Sequence, residues 1–175
     1  MKIIYRNKEF LLRHYIPGDV LSLQKNINDR QIGRSMSHVP YPYTINDAKT
    51  FIDKTIKGYK DKKNKNVRIA IDINNDVVGA FGATIKEHAA TIGYWVGRDH
   101  RGTGLSRRAA REFIRLLFKE KKIVRIEAHT YLDNKKSQQL LLDLGFKREG
   151  LLRKFVKKNN RYRDVYVFSL LKNDK

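Results

Sequence analysis

The sequence predicts one domain of mixed-sheet α/β class, and three observations lead to it. The chain has 175 residues, which favours a single domain over 1–175, and its 41% apolar fraction is enough to fill one core. Short alternating segments separated by turn residues predict a meander of strands in the middle of the chain. A strand–helix–strand–helix order and a closing hairpin follow, which is typical of a mixed sheet flanked by helices.

The N-terminal third is predicted to hold one strand and two helices. Residues 9–15 form the strand, and Pro17 to Asp19 leads into a short helix. Thr44 can cap the next helix, with Asp47 at the third position of a capping box. That helix has one apolar face, formed by Ala48, Phe51, Ile52 and Ile56, and the lysine-rich stretch 57–66 closes it.

The rest of the chain alternates strands with two helices. Strands are predicted at 67–73, 77–85 and 89–97, joined by turns at 74–76 and 86–88. A helix over 103–121 turns Leu105, Ala109, Phe113 and Leu116 inward. The remaining elements are a strand at 123–130, a helix at 134–144, and strands at 146–157 and 162–171, joined at Asn159-Asn160.

Composition narrows the function classes. With no cysteine, the chain has no disulfide, no Cys-ligated zinc and no acyl-cysteine intermediate. The five histidines show no metal-ligand spacing, so no metal is expected. We expect a cytoplasmic protein without a membrane partner, because no apolar run approaches about 20 residues and no signal peptide is evident. The net charge of +20 attracts polyanions, so ribosomal RNA or an acidic protein is a candidate partner.

The segment from Ile92 to Ser106 is a candidate anion site. A predicted strand runs into a glycine-containing loop that opens a helix, and helix N-termini carry unpaired N–H groups that bind phosphates. Arg101, Arg107 and Arg108 surround this helix start and would reinforce it. The segment is neither a Walker loop nor a GxGxxG fingerprint, and an ordinary strand-to-helix turn is the alternative interpretation.

A second segment has to be considered together with the first one. It runs from Asn134 through Ser137 to Leu144-Gly145-Phe146. Together with Arg101-Gly-Thr-Gly104-Leu-Ser106 it resembles the GNAT superfamily of acyl-CoA N-acyltransferases. Further segments are similar to the RimJ/RimL branch, the N-terminal acetyltransferases of ribosomal proteins: Tyr41-Pro-Tyr43-Thr44 to Asp47-Ala48, Ile92-Gly-Tyr-Trp95, Glu149-Gly150 to Arg153, and Tyr162-Arg-Asp164 to Leu170. The resemblance covers nearly the whole chain, in order.

The resemblance implies a GNAT fold, a mostly antiparallel mixed sheet whose fourth and fifth strands run parallel and splay apart. Here these strands are 89–97 and 123–130, and acetyl-CoA, the co-substrate, would enter between them. The pantetheine arm would pair with the backbone of Trp95 and Val96, and the Val96 amide would donate to the thioester oxygen. The remaining cofactor-binding residues implied are Arg101, Gly102, Thr103, Gly104, Leu105, Ser106, Asn134 and Ser137. The chain departs from the family at Ser106, where Gly or Ala is usual, and at Arg108, where many relatives have Glu.

The proton carriers are less clearly marked. Many relatives carry a tyrosine seven residues after the motif asparagine, where this chain has Leu141. The resemblance then implies Ser137 as the proton donor, and the alternative is a first-turn serine of a helix capped by Asn134. Glu127 is our candidate base, against an ion pair with Arg125; Glu149 and an ordered water are other candidates.

The resulting hypothesis is an acetyl-CoA-dependent N-acetyltransferase that transfers acetyl directly to the N-terminal α-amine of a ribosomal protein. Tyr41 and Tyr43 would line the acceptor side, unless they only pack around Pro42. One alternative is a small-molecule amine acetyltransferase, although the +20 charge argues against a polyamine or aminoglycoside acceptor. Another is a non-catalytic scaffold that binds CoA or RNA. We expect a monomer or a homodimer.

Overall fold

The computed structural model describes residues 2–120 and 122–174. Its centre is an eight-stranded sheet with the order β1-β2-β3-β4-β5-β6-β8-β7. The strands are β1 (Ile3–Arg6), β2 (Leu11–Arg13), β3 (Asn66–Ile73), β4 (Asp76–Lys86), β5 (Ala89–Val96), β6 (Arg125–Tyr131), β7 (Lys147–Lys158) and β8 (Arg161–Leu171). The helices are α1 (Val20–Ile27), α2 (Arg30–Ser35), α3 (Ile45–Lys60), α4 (Leu105–Glu120) and α5 (Lys135–Asp143).

One strand pair makes the sheet mixed. Every neighbouring pair is antiparallel except β5–β6, which is parallel. Its register covers only four residue pairs, from Ala89 opposite Arg125 to Ile92 opposite Ala128. Beyond Ile92 both strands continue without pairing to each other, so a V-shaped cleft opens between their C-terminal ends. The predicted fold class and its splayed parallel pair are confirmed; these strands are the fifth and sixth because β1 precedes them.

The tight turns lie where the sequence predicts them. Asn74 and Asn75 have φ angles of 54° and 65°, and Asn159 and Asn160 have 49° and 57°. Asparagine tolerates this left-handed region, and two such residues in succession match the twist of an antiparallel hairpin. The β3–β4 and β7–β8 hairpins therefore follow from local sequence.

The predicted helix cap at Thr44 is also present. Its hydroxyl accepts a hydrogen bond from the Asp47 amide at 3.1 Å, and the Asp47 carboxylate accepts one from the Thr44 amide at 2.8 Å. This reciprocal capping box fixes the start of α3. Ala48 and Ile52 then face the core with no exposed surface, which confirms the predicted apolar face.

Two of these strands and helices were not predicted, and several predicted bounds differ from the observed ones. β1 is a short edge strand that pairs only with β2, and α2 has six residues, so neither carries a long periodic pattern. β2 covers only the middle of the predicted strand 9–15. α4 begins at Leu105 rather than at residue 103, and residue 121 of the predicted helix lies outside the described residues.

Helices cover both faces of the sheet. Leu105, Ala109 and Phe113 of α4 belong to the core cluster on one face, together with Ile92 and Val96 of β5. The buried residues of α1 and α3 belong to a second cluster on the other face, which includes Trp95. Consecutive residues of β5 therefore enter different layers at the mouth of the cleft. No helix within the described ranges is long and apolar enough to cross a membrane.

Candidate active site

The free edge of β5 forms one wall of the cleft. The Gly97 amide donates to the Val78 carbonyl of β4 at 2.8 Å. Successive amides along a strand point to opposite sides, so the Val96 amide points away from β4 and towards the opening between β5 and β6. The strand thus ends in a main-chain donor directed into the cleft, at the residue where the sequence predicts an oxyanion donor.

The loop between β5 and α4 presents further main-chain amides. Gly102 and Gly104 have φ angles of 80° and 78°, a conformation that favours glycine. The amides of Gly102, Thr103, Gly104 and Ser106 have no hydrogen-bond acceptor among the residues that the structure describes. These four donors surround the N-terminus of a 16-residue helix, where the helix dipole favours an anion.

Two of the six predicted loop amides are already occupied. The Arg101 amide donates to the Arg98 carbonyl at 3.2 Å, and the Leu105 amide donates to the Thr103 hydroxyl at 3.3 Å. The Thr103 hydroxyl in turn donates to the His100 carbonyl at 2.9 Å. Arg101 and Leu105 therefore shape the loop through internal bonds, whereas Gly102, Thr103, Gly104 and Ser106 keep free amides.

The three arginines near the loop differ in what they contact. The Arg101 side chain donates to the Val96 carbonyl at 3.1 Å and to Gln31 of α2 at 2.9 Å, and it lies 3.1 Å from an oxygen of Asp29. It therefore ties α2 to the end of β5. Arg107 lies 3.8 Å from Asp143, and Arg108 donates to Glu9 at 2.7 Å, so each is paired with a carboxylate at the protein surface.

Ser137 lies across the cleft from β5, in the first turn of α5. Its amide donates to Oδ1 of Asn134 at 3.2 Å, so Asn134 is the N-cap. Its Oγ lies 2.7 Å from the Tyr94 hydroxyl, and either oxygen can donate. Burial raises the pKa of Tyr94 to about 12, and the bond with Ser137 opposes that rise. Sequence reasoning missed Tyr94, although it lies within the quoted Ile92-Gly-Tyr-Trp95 segment.

A cavity of about 1190 Å³ fills the cleft on the side of α3. Its walls come from α3, from the loop between α2 and α3, from β3 to β6, and from the β7–β8 hairpin. Tyr43, which the family resemblance assigns to the acceptor side, is buried in the lining of this cavity. Tyr41 is 54% exposed and does not line the cavity; its Cβ packs instead against Gly33 of α2.

The candidate base Glu127 is held by an arginine. Arg125 Nε donates to Glu127 at 2.7 Å, and the same guanidinium pairs with both carboxylate oxygens of Glu149. Arg125 and a hydrogen bond from Ser169 lower the pKa of Glu149 to about 2. Neither glutamate lines the cavity. The ion pair considered from the sequence is therefore present.

His129 occupies the position that faces the cavity. It lies two residues after Glu127 on the same strand face and packs edge-on against Phe155 with ring centroids 5.0 Å apart. Burial lowers the pKa of His129, and the Glu127 charge opposes this. At pH 7 the imidazole is mostly neutral and can accept a proton.

Comparison with known proteins agrees with this geometry. The family model described as Acetyltransferase (GNAT) domain matches residues 9–147. The chain is 31% identical over 154 residues to the uncharacterized N-acetyltransferase p20 of Bacillus licheniformis, covering 84% of each protein. It is also 31% identical over 117 residues to the [Ribosomal protein uS5]-alanine N-acetyltransferase of Escherichia coli (strain K12), covering 67% of this chain and 57% of that protein.

Two solved structures are similar over nearly their full length. One is RimL, the ribosomal L7/L12 alpha-N-protein acetyltransferase in complex with coenzyme A, with a TM-score of 0.87, 19% identity, and coverage of 99% of this chain and 100% of that one. The other is the microcin C7 self immunity acetyltransferase MccE in complex with acetyl-CoA and AMP, with a TM-score of 0.83, 26% identity, and coverage of 94% and 93%.

Proposed function

The chain belongs to the GNAT acetyltransferase family, and we propose that its acceptor is the N-terminal α-amine of a protein. It is an N-acetyltransferase with acetyl-CoA as the acetyl donor. The observation that carries the proposal is the cleft, where Trp95 and Ser137 line a cavity large enough for a peptide end, next to the Val96 amide. The names of the uS5-alanine and L7/L12 relatives support a protein α-amine.

The free loop amides of Gly102, Thr103, Gly104 and Ser106 bind the pyrophosphate in this proposal. Glycine at 102 and 104 lets the backbone approach the phosphate oxygens. The open edge of β5, at Trp95 and Val96, pairs with the pantetheine amides as an added strand would. Asn134 holds the first turn of α5 so that Ser137 faces the thioester end.

Three groups then act on the reacting atoms. The amine nitrogen attacks the thioester carbon, and the Val96 amide donates to the carbonyl oxygen as that oxygen gains negative charge. As the carbon–sulfur bond breaks, the Ser137 hydroxyl donates its proton to the leaving thiolate. Tyr94 replaces that proton through its 2.7 Å bond to Ser137. An α-amine suits this site because its pKa of about 8 lies well below the 10.4 of lysine, so more of it is unprotonated.

Two residues compete for the amine proton. Glu127 is the base predicted from the sequence, but its carboxylate is bound by Arg125. His129 lines the cavity, and its lowered pKa keeps it neutral at pH 7, which favours it as the second candidate. The pH profile of kcat/KM distinguishes the two residues. If Glu127 is the base, Glu127→Gln loses the decrease in kcat/KM at low pH, and His129→Gln retains it. If His129 is the base, the two variants show the opposite behaviour.

Intact-mass spectrometry tests the proposed acceptor. The protein is incubated with acetyl-CoA and either a peptide with a free N-terminus and an internal lysine, the same peptide with a blocked N-terminus, or spermidine. We expect one added acetyl group on the first substrate alone. Ser137→Ala should lower kcat about 100-fold if the serine is the acid, and Tyr94→Phe should lower it less. Acetylation of spermidine but of neither peptide would overturn the proposal, and CoA binding without any transfer would favour the scaffold alternative.

A further inference from the structure

A row of four residues crosses the sheet on the face towards α3. Arg68 of β3 lies opposite Gly82 of β4, and Gly82 lies opposite Gly93 of β5. His129 follows Ala128, the last β6 residue that pairs with β5, so His129 lies across the opening of the cleft from Gly93. A Cβ at Gly93 would meet nothing within 4 Å. The two glycines therefore form an open floor between an arginine and a histidine, and all four residues line the cavity.

Arg68 reaches over this floor. Atoms of its guanidinium and side chain would lie 3.2 to 3.5 Å from a Cβ at Gly82, so the side chain extends over Gly82 of the neighbouring strand. Adjacent strands are about 4.8 Å apart, which places the guanidinium about one strand spacing from Gly93. In the proposed reaction the amine lies beside Val96, three residues or about 10 Å along β5 from Gly93. An extended peptide rises about 3.4 Å per residue, so its second or third side chain comes within reach of Arg68.

The hydrogen bonds of Arg68 are incomplete. Its Nη1 donates to the Val67 carbonyl at 2.9 Å and to the Ala83 carbonyl at 3.0 Å, and Nη2 donates to Asn66 at 3.4 Å. A guanidinium has five N–H groups, so the Nε–H and one Nη2–H find no acceptor within residues 2–120 and 122–174. None of the ion pairs among these residues includes Arg68.

All but one of the other charges around the cavity are positive like Arg68. Lys54 and Lys157 line it together with Arg68, whereas Asp61 is the one carboxylate among the described lining residues. Oδ1 of Asp61 accepts a hydrogen bond from the Lys63 amide at 2.8 Å. The cavity therefore repels a polycationic acceptor and attracts an anionic one.

We propose that Arg68 binds an acidic side chain of the acceptor, which makes the substrate a protein N-terminus with Asp or Glu at its second or third residue. This substrate class rests on the proposed N-terminal acetyltransferase function. A carboxylate matches the two free N–H groups of Arg68, because a guanidinium and a carboxylate form paired, charge-assisted hydrogen bonds. The same peptide then crosses the glycine floor, with its amine towards Val96.

A peptide series tests this. Three peptides differ only at the second residue, which is Asp, Asn or Lys, and a second set varies the third residue in the same way. In one of the two sets, kcat/KM for the Asp peptide should exceed that for the Asn peptide by about tenfold, with the Lys peptide lowest. Arg68→Gln should bring the Asp-to-Asn ratio close to one, and Arg68→Lys should retain part of it. Arg115→Gln, which changes an exposed arginine of α4, should keep the wild-type ratio.

The ratio between two peptides is informative because a loss of folded protein lowers both rates equally. A wild-type ratio near one in both sets, or a ratio that survives Arg68→Gln, would overturn the inference. Isothermal titration of the N-acetylated Asp peptide adds a readout without turnover: we expect its affinity to fall about tenfold in Arg68→Gln. If no peptide is acetylated but this affinity still depends on Arg68, the proposed reaction is wrong and the anion site stands.

Discussion

Two arginines on the same face of the sheet, Arg13 and Arg68, differ in what surrounds them. Arg13 of β2 is 1% exposed, and all three of its side-chain nitrogens contact Asp19, Asp72 or the His14 carbonyl at 2.6 to 3.0 Å. Burial works against its charge, yet hydrogen bonds with Asp19 and Asp72 raise the pKa of Arg13. Arg68 of β3 lines the cavity with two N–H groups free.

The difference separates a structural arginine from a binding one. Arg13 connects β2, β3 and the turn before α1, and its partners all belong to the chain. Burial lowers the pKa of Arg68, and no carboxylate of the described residues within 4.0 Å offsets that cost. An arginine kept charged at a cavity wall without a carboxylate indicates that a ligand supplies the missing partner.

The largest expected effect is on stability, from Arg13→Met. Removing the guanidinium leaves Asp19 and Asp72 buried without their cation, which should lower the free energy of unfolding by about 3–5 kcal/mol. Urea unfolding at pH 7 measures this. Arg115→Met, which breaks an exposed pair with Glu112, is the matched control and should cost under about 1 kcal/mol. If the free energy of unfolding decreases equally in the two variants, Arg13 contributes no more to stability than an exposed arginine does.

A smaller effect is expected from Gly82→Ala, which leaves Arg68 in place but moves it. The new methyl group would lie 3.2 Å from Arg68 Nη1, so the guanidinium must move by a few tenths of an ångström. We expect the Asp-to-Asn peptide ratio to fall by about threefold, since the charge stays but its paired geometry is disturbed. Gly93→Ala adds the same methyl group with nothing within 4 Å, and should change the ratio less. A ratio unchanged in Gly82→Ala would mean that the position of the guanidinium does not matter.

The smallest effect concerns a third arginine, Arg125, which has two carboxylate partners like Arg13 but lies nearer the surface. The pKa of Glu149 is about 2 in the folded protein, because of Arg125 and Ser169, against about 4.3 when unfolded. Its contribution to stability is therefore full above pH 4.3 and is lost as the pH falls towards 2. The Glu149 side chain is 43% exposed, so the contribution should stay under about 1 kcal/mol.

Urea unfolding of wild type and Glu149→Gln between pH 6 and pH 3 measures this contribution. The variant should be slightly less stable at pH 6, and the two curves should converge as the pH falls. Parallel curves over this range would mean that Glu149 titrates alike in the folded and unfolded protein. If Glu149→Gln lowers the free energy of unfolding at pH 6 as much as Arg13→Met does, the number of carboxylate partners of an arginine affects stability more than its burial does.

Much of the site was predictable where its parts are adjacent in the sequence. Gly102 and Gly104 are two residues apart, so a strand-to-helix loop with exposed amides follows from local conformation. Asn134 and Ser137 are separated by one helical turn, so their cap follows likewise. Tyr94 was overlooked because its bond to Ser137 spans 43 residues of sequence, and nothing in either segment alone specifies it.

The sequence by itself therefore determined most of the strands, the hairpin turns, the capped helix α3 and the glycine-containing loop before α4, because each depends on neighbouring residues and on a period of 2 or 3.6. Only the tertiary structure decided the strand register that aligns Arg68, Gly82 and Gly93 in one row, and the placing of Glu127 beside Arg125 and of His129 at the cavity. The physical reason is that charge and hydrogen bonding act through space. A side chain's partners set its chemistry, and in this fold those partners come from strands distant in sequence.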